Sequence, residues 1–299
     1  MSSTSRPTGP TPRPTKAARR DEARADALRL REEQQRQARR QRSIVIALLV
    51  VGLVVVAGVV AFILSRAPQT SDYADLPSSD DFADVEDPLA DVAAPATATD
   101  DGGIRVGEDG VAGLTEVPED AVVVTVYADF MCPVCNMFEQ SNGPVLDELR
   151  EAGEVVVEYK PVSILDRAAQ GTRFSTRAGA AAAFVADRAP EAFVGFHSAM
   201  FASQPAENTP GLSDEEIAEL ATAAGVPAAV ADAIADGSYL EGEDSFASWV
   251  AASTQVASRE FAPQFGTPTI LVDGENLSEI GVDWRIEGAL EAAIEQARG

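Results

Sequence analysis

An α/β domain with a central sheet and a large helical insertion, carried behind one membrane-spanning helix, is the architecture this sequence predicts. Three observations carry that expectation. Charge is divided sharply along the 299 residues: 1–43 hold 12 Lys and Arg against 5 Asp and Glu, 44–64 hold none, and 65–299 hold 11 against 43. The uncharged stretch reads IVIALLVVGLVVVAGVVAFIL without interruption. Further on, apolar β-branched runs and helix-period segments follow in the order strand, helix, strand, helical block, strand, helix, the pattern of a layered α/β domain.

The first 43 residues form a basic cytoplasmic segment in this reading. Ser2 to Thr15 is rich in Pro, Thr and Ser and is expected to be disordered. Ala17 to Gln41 is built from Arg, Glu, Ala and Gln, all good helix formers. Its basic end either rests on anionic headgroups or is a solvated helix that only enforces topology.

Ile44 to Leu64 is the expected transmembrane helix. Its 21 residues, at about 1.5 Å each, span roughly 31 Å, the thickness of a bilayer's hydrocarbon core. No polar stripe marks it as a buried helix of a soluble protein. Arg36, Arg39, Arg40 and Arg42 precede it and only Arg66 follows closely, which keeps the N-terminus in the cytoplasm. A cleavable signal peptide is the competing reading. Such a peptide has an apolar region of about 7–15 residues behind a short basic lead. The longer run, the 43-residue lead and Pro68 after Ser65-Arg66-Ala67 favour an uncleaved anchor.

Residues 65–103 read as an acidic, disordered tether. Arg66 to Gly103 contains ten acidic residues, one basic residue and four prolines, with few large apolar side chains. Such a stretch buries too little surface to fold alone, and self-repulsion extends it.

The folded domain is expected over 104–299. Ala121 to Ala128 (AVVVTVYA) has the continuous apolar character of a strand buried on both faces. Pro133 to Arg150 reads as a helix with a kink or break at Gly143-Pro144. Glu154 to Tyr159 (EVVVEY) is a second strand. The segment from Thr172 to Ala262 is mostly helical, and Ser213-Asp214-Glu215-Glu216 has capping-box spacing. Thr267 to Val272 (TPTILV) is a third strand, and Asp283 to Ala297 is a closing helix with Asp283 as its N-cap.

Composition narrows the function. A net charge of −25 argues against nucleic-acid binding. Two cysteines and one histidine exclude a disulfide-stapled scaffold and any zinc site with four Cys or His ligands.

Both cysteines stand in Cys132-Pro133-Val134-Cys135, four residues after the buried strand and at the start of a helix. There, free N–H groups and the helix dipole favour a negative sulfur on Cys132. Cys135 lies one turn on, closer to the core. A Cys132 thiolate can form a mixed disulfide that Cys135 then resolves. Pro133 suits the first helical turn, where no N–H is needed. A structural disulfide across so short a loop stabilises little. Half of a metal site lacks partners, since no other Cys exists and His197 is alone. An oxidising compartment beyond the membrane suits a redox dithiol. Far downstream, Gly266-Thr267-Pro268-Thr269 opens a strand. Pro268 is either in cis, setting backbone atoms beside the dithiol, or in trans, merely starting the strand.

The string Tyr127-Ala128-Asp129-Phe130-Met131-Cys132-Pro133-Val134-Cys135, with Gly266-Thr267-Pro268-Thr269 about 130 residues later, resembles the DsbA-like branch of the thioredoxin superfamily, including its membrane-anchored bacterial members. The resemblance covers about Ala121 to Gly299. It implies a thioredoxin-like fold with a helical insertion at about 168–262. It implies Cys132 as nucleophile, Cys135 as resolving thiol, and Thr267 with a cis Pro268 as the substrate-backbone binder. It implies no cofactor beyond the Cys132–Cys135 disulfide. The expected partners are reduced or misoxidised secreted proteins and a membrane redox partner, with the catalytic domain outside the plasma membrane.

Two departures from the family pattern bear on redox tuning by Pro133, Val134 and Asp129. Val134 stands where DsbA has a histidine, and it donates no hydrogen bond to a thiolate. Val126 stands where many members carry a buried acid. Asp129 either substitutes as proton acceptor or only caps the helix. The leading expectation is an oxidase. A reductase or isomerase fed by a membrane electron donor is the alternative, as is a non-catalytic peptide-binding module. His197, with Phe193, Phe196, Met200 and Phe201, is expected to be core of the helical block, and Lys160 has no evident role.

Overall fold

The computed structural model describes residues 49, 51–58, 73–113, 116–242 and 245–299. The chain divides into two units, 1–67 and 68–299. In the first, residues 51–58 are helical. Residues 44–48, 50 and 59–64 of the expected span, and the basic lead 1–43, lie outside the described residues. Among the described residues no helix is long and apolar enough to cross a membrane.

The second unit is built on a six-stranded sheet in the order β2-β1-β4-β3-β5-β6. The strands are β1 Ile104–Val106, β2 Ala112–Gly113, β3 Val122–Ala128, β4 Val155–Pro161, β5 Thr269–Val272 and β6 Glu275–Asn276. The two β-branched runs form the central parallel pair, with Val124 opposite Val157 and Val126 opposite Tyr159. All seven residues of β4 are buried, which is why its sequence is continuous rather than alternating in character. Strand β5 adds antiparallel to β3, setting Ile270 beside Val126.

Helix α1 (Pro133–Glu151) follows β3 and runs without a break through Pro144, so of the kink or break expected at Gly143-Pro144 the break does not occur. The insertion between β4 and β5 holds α2 (Phe174–Arg188), α3 (Phe193–Ala202), α4 (Asp214–Ala223), α5 (Ala228–Ala235) and α6 (Ala247–Glu260). Helix α2 is alanine-rich and almost wholly buried, which lets neighbours approach closely. At Gly179 an added Cβ would sit 3.0 Å from Val250 of α6. The capping box at α4 forms as expected: Ser213 Oγ accepts from the Glu216 N–H, and Glu216 accepts from the Ser213 N–H.

Three expectations are corrected. The closing helix α7 is Ala289–Arg298, not 283–297. Asp283 caps a separate turn, accepting from the Arg285 N–H, and Trp284 packs edge-on against Phe138 of α1 at 5.2 Å. The burial of Trp284 against α1 competes with a helical path there.

The second correction is the acidic tether. Over 73–103 it is a strap lying on the domain. Arginines of the insertion hold it by its backbone carbonyls: Arg173 donates to Leu76 and Pro77, and Arg259 to Phe82, Ala83 and Glu86. These bonds add to a modest apolar anchoring, in which Leu76, Leu89, Val92 and Ala98 of the strap pack against the core. Its first described residue, Tyr73, stacks on the Arg177 guanidinium at 4.4 Å and donates to Asp214 at 2.9 Å. Arg177 is only 1% exposed and pairs with Asp214 at 2.6 Å, with Tyr239 donating to the same carboxylate. Asp214 is thus turned inward rather than forming an exposed first turn.

The third concerns Lys160. Alternation along the strands puts Thr125, Tyr127, Glu158 and Lys160 on one face of the sheet. There Lys160 pairs with Asp101 of the strap at 2.6 Å and lies over the Tyr127 ring at 5.3 Å. Glu158 accepts from Arg105 at 2.9 Å and from Thr125 at 3.1 Å. Lys160 and Glu158 are buried, and the network satisfies them.

Candidate active site

Strand β3 delivers the chain to the dithiol through the turn Asp129-Phe130-Met131. The Asp129 carboxylate accepts from the Met131 N–H and, with its other oxygen, from the Leu165 N–H, both at 2.9 Å. It therefore pins the turn to the segment after β4. Asp129 is wholly buried, and burial pushes its carboxyl up to about 7.

Cys132 is the N-cap residue of α1, with extended backbone and Pro133 at the first helical position. Its sulfur lies 3.3 Å from the Thr267 carbonyl oxygen, and the Thr267–Pro268 peptide is cis. Cys132 is 6% exposed and Cys135 1%; both are free thiols. The environment separates them. A hydrogen bond from Cys135 holds the Cys132 thiol down at about 6, helped by the Thr267 side chain and the N–H groups of Cys135 and Val134, against the opposing effect of burial. Burial pushes the Cys135 thiol well up, and the neighbouring Cys132 sulfur adds to that. One sulfur is an anion near neutral pH and the other keeps its proton. That is the division of labour a nucleophile and a resolving thiol require.

The structure brings Cys132, Cys135, Pro133, Val134, Asp129, Thr267 and Pro268 into one place. Val126 is buried between Tyr159 and Ile270 and supplies no acid. His197 is core, in contact with the rings of Phe130, Tyr159, Phe193 and Phe201, with its Nε2 3.5 Å from Glu139.

Two features escape the sequence reading. A cleft of about 320 Å³ opens beside Pro268, with Ile270, Leu277, Val282 and Trp284 in its walls. Ile280 and Ile286, next in sequence to its lining residues, are exposed. The other is Gln204, just past α3, whose side-chain amide donates to the backbone carbonyls of Phe130 and Cys132. Among the described residues no group of three or more His, Cys, Asp or Glu could hold a metal ion.

Comparison with known proteins agrees with this geometry. The thioredoxin family model matches residues 117–292. No curated protein sequence matches the chain. Among solved structures, reduced DsbA from Mycobacterium tuberculosis is 34% identical, with 66% of this chain and 93% of that one covered and a TM-score of 0.51. The reduced disulfide bond oxidoreductase DsbG of Mycobacterium tuberculosis is also 34% identical, covering 71% and 93%, with a TM-score of 0.51. MdbA, a thiol-disulfide oxidoreductase from Actinomyces oris, shares the fold at 18% identity, covering 74% and 96%, with a TM-score of 0.54. The chain belongs to the thioredoxin family, as a protein thiol–disulfide oxidoreductase of the DsbA type.

Proposed function

We propose that the chain is a membrane-anchored, extracytoplasmic oxidase that introduces disulfides into secreted and cell-envelope proteins through Cys132 and Cys135. The observation that carries this reading is the placement of Cys132 as N-cap of α1 with its sulfur beside the cis Thr267–Pro268 peptide, where its thiol is held down at about 6. A stabilised Cys132 thiolate favours the reduced enzyme, and so makes its disulfide a better oxidant.

In the oxidised enzyme, a client thiolate attacks the Cys132 sulfur. The Cys132–Cys135 bond breaks, and Cys135 leaves and takes up a proton, as its raised affinity favours. A second client thiolate attacks the client sulfur of the mixed disulfide. The client disulfide forms, Cys132 leaves as a thiolate, and two electrons have passed to the enzyme. A membrane redox partner then reoxidises the pair. Thr267 and Pro268 hold the client backbone beside the sulfur, and the cleft next to Pro268 receives an adjoining client side chain.

The anchor is residues 44–64, supported by the uninterrupted apolar run and the arginines before it. With Val134 rather than a histidine between the cysteines, the potential is expected between about −120 mV, as in DsbA, and about −270 mV, as in thioredoxin. Equilibration with glutathione tests the direction: a value near −270 mV sinks the oxidase in favour of a reductase. Trapping with Cys135→Ala tests the substrate class. Envelope proteins disulfide-linked to Cys132 are the expected catch, and an empty trap with a reactive Cys132 refutes the proposal.

A further inference from the structure

We infer that Gln204 is a positioning residue for the Cys132 sulfur, the point where the helical insertion fixes the loop that carries the nucleophile. The inference rests on the disulfide-exchange reading above. Helix α3 ends at Ala202, and the chain turns so that the Gln204 N–H meets the Phe201 carbonyl. The side-chain amide then points back at the dithiol loop. Its nitrogen has two protons, and each finds an acceptor: Phe130 O at 3.1 Å and Cys132 O at 2.9 Å.

Those carbonyls bracket Met131, so one amide ties both ends of the last three residues before α1. The Cys132 carbonyl also accepts from the Asn136 N–H, which opens the helical ladder. Gln204 therefore acts on the residue at which loop, helix start and sulfur coincide. Helix α3 grips the same loop by its side chain as well: the Phe130 ring lies 4.9 Å from Phe201 and 5.4 Å from His197. Within the loop, the Cys132 N–H bonds the Asp129 carbonyl and the Met131 N–H bonds the Asp129 carboxylate, but neither bond ties the loop to the insertion. The amide supplies that tie and keeps the sulfur aligned with the N–H groups of Val134 and Cys135 and with Thr267, the contacts that hold its proton affinity down. Gln204 does not itself touch the sulfur, so its effect must pass through the loop.

The test uses the full chain in detergent, reduced, as wild type, Gln204→Leu and Gln204→Asn. Leu removes both donors at similar volume, and Asn keeps an amide on a shorter arm. Three quantities are read: the melting temperature, the pH midpoint of Cys132 alkylation, and the equilibrium with glutathione. For Gln204→Leu the expected result is a fold that melts near wild type. Its midpoint rises, its alkylation at pH 6 is about 3- to 10-fold slower, and its glutathione equilibrium shifts by a similar factor toward a weaker oxidant. Gln204→Asn falls between. A folded Leu variant with wild-type midpoint and equilibrium overturns the proposal. So does a lower melting temperature alone, since that is what mere bracing of the insertion produces. If the Leu variant does not fold, the Asn variant decides by the same midpoint. A wild type that fails to exchange with glutathione refutes the functional reading instead, and leaves the alkylation midpoint to judge Gln204.

Discussion

The low proton affinity of Cys132 has a divisible origin, and replacing its partner divides it. The largest contribution is the hydrogen bond from the Cys135 thiol, with Thr267 and the helix-start N–H groups behind it. Cys135→Ala removes the first and leaves the others. A hydrogen bond to a charged group contributes about 1.5–3 kcal/mol, and a thiol is a weak donor, so the lower figure applies. At about 1.4 kcal/mol per pH unit, the midpoint should rise by about one unit, from about 6 to about 7. At pH 6 the thiolate fraction then falls from about a half to about a tenth, and alkylation slows about fivefold. Cys135→Ser keeps a donor at the same place and should stay at or below about 6. The assay is the rate of iodoacetamide labelling of Cys132 across pH 4 to 9, read by mass spectrometry. An Ala variant with an unmoved midpoint would refute the reasoning and assign the whole effect to the start of α1.

Further outcomes follow from the buried charges. Arg177→Met strands the Asp214 carboxylate in the core and should cost about 3–5 kcal/mol in urea unfolding; a loss below about 1 kcal/mol contradicts the role given to that pair. Gly103→Ala places a Cβ 2.6 Å from Glu158 Cγ, and that side chain is held by Arg105 and Thr125, so stability should fall by about 1–3 kcal/mol. A neutral result means that Glu158 swings clear. Asp129→Asn leaves either the Met131 or the Leu165 N–H facing an amide NH2, a cost of about 1–3 kcal/mol. Burial raises the Asp129 carboxyl to about 7, so the folded wild type retains a proton that the unfolded chain releases near pH 4. Wild-type stability from this group falls as pH rises between those values, and Asn does not titrate. The gap between them should narrow from pH 5 to pH 8 in urea unfolding, and a widening gap refutes the assignment.

The dithiol and the sheet beneath it are legible in the sequence because each rests on local pattern. The β3 and β4 runs are continuous because both faces are covered, and Cys132-Pro133-Val134-Cys135 sits where a strand hands over to a helix. The capping box at Ser213 is equally local. What the sequence hides is long-range. The strands at Ile104–Val106, Ala112–Gly113 and Glu275–Asn276 are too short to show a period. Gln204 is one amide in a loop, and its acceptors lie 72 and 74 positions earlier. The strap reads as tether because its composition is acidic and many of its anchors are main-chain carbonyls, which any sequence supplies. The arginines that seek them stand about 100 to 180 residues away.

That strap changes where the catalytic domain should be cut. A recombinant fragment begun at Ile104 looks natural from composition, yet it would strip the ring from Arg177 and the carboxylate from Lys160. It would also leave the guanidinium groups of Arg173 and Arg259 without the carbonyls they hold. A truncation ahead of Tyr73 retains every one of these contacts and is the boundary from which to purify the catalytic portion.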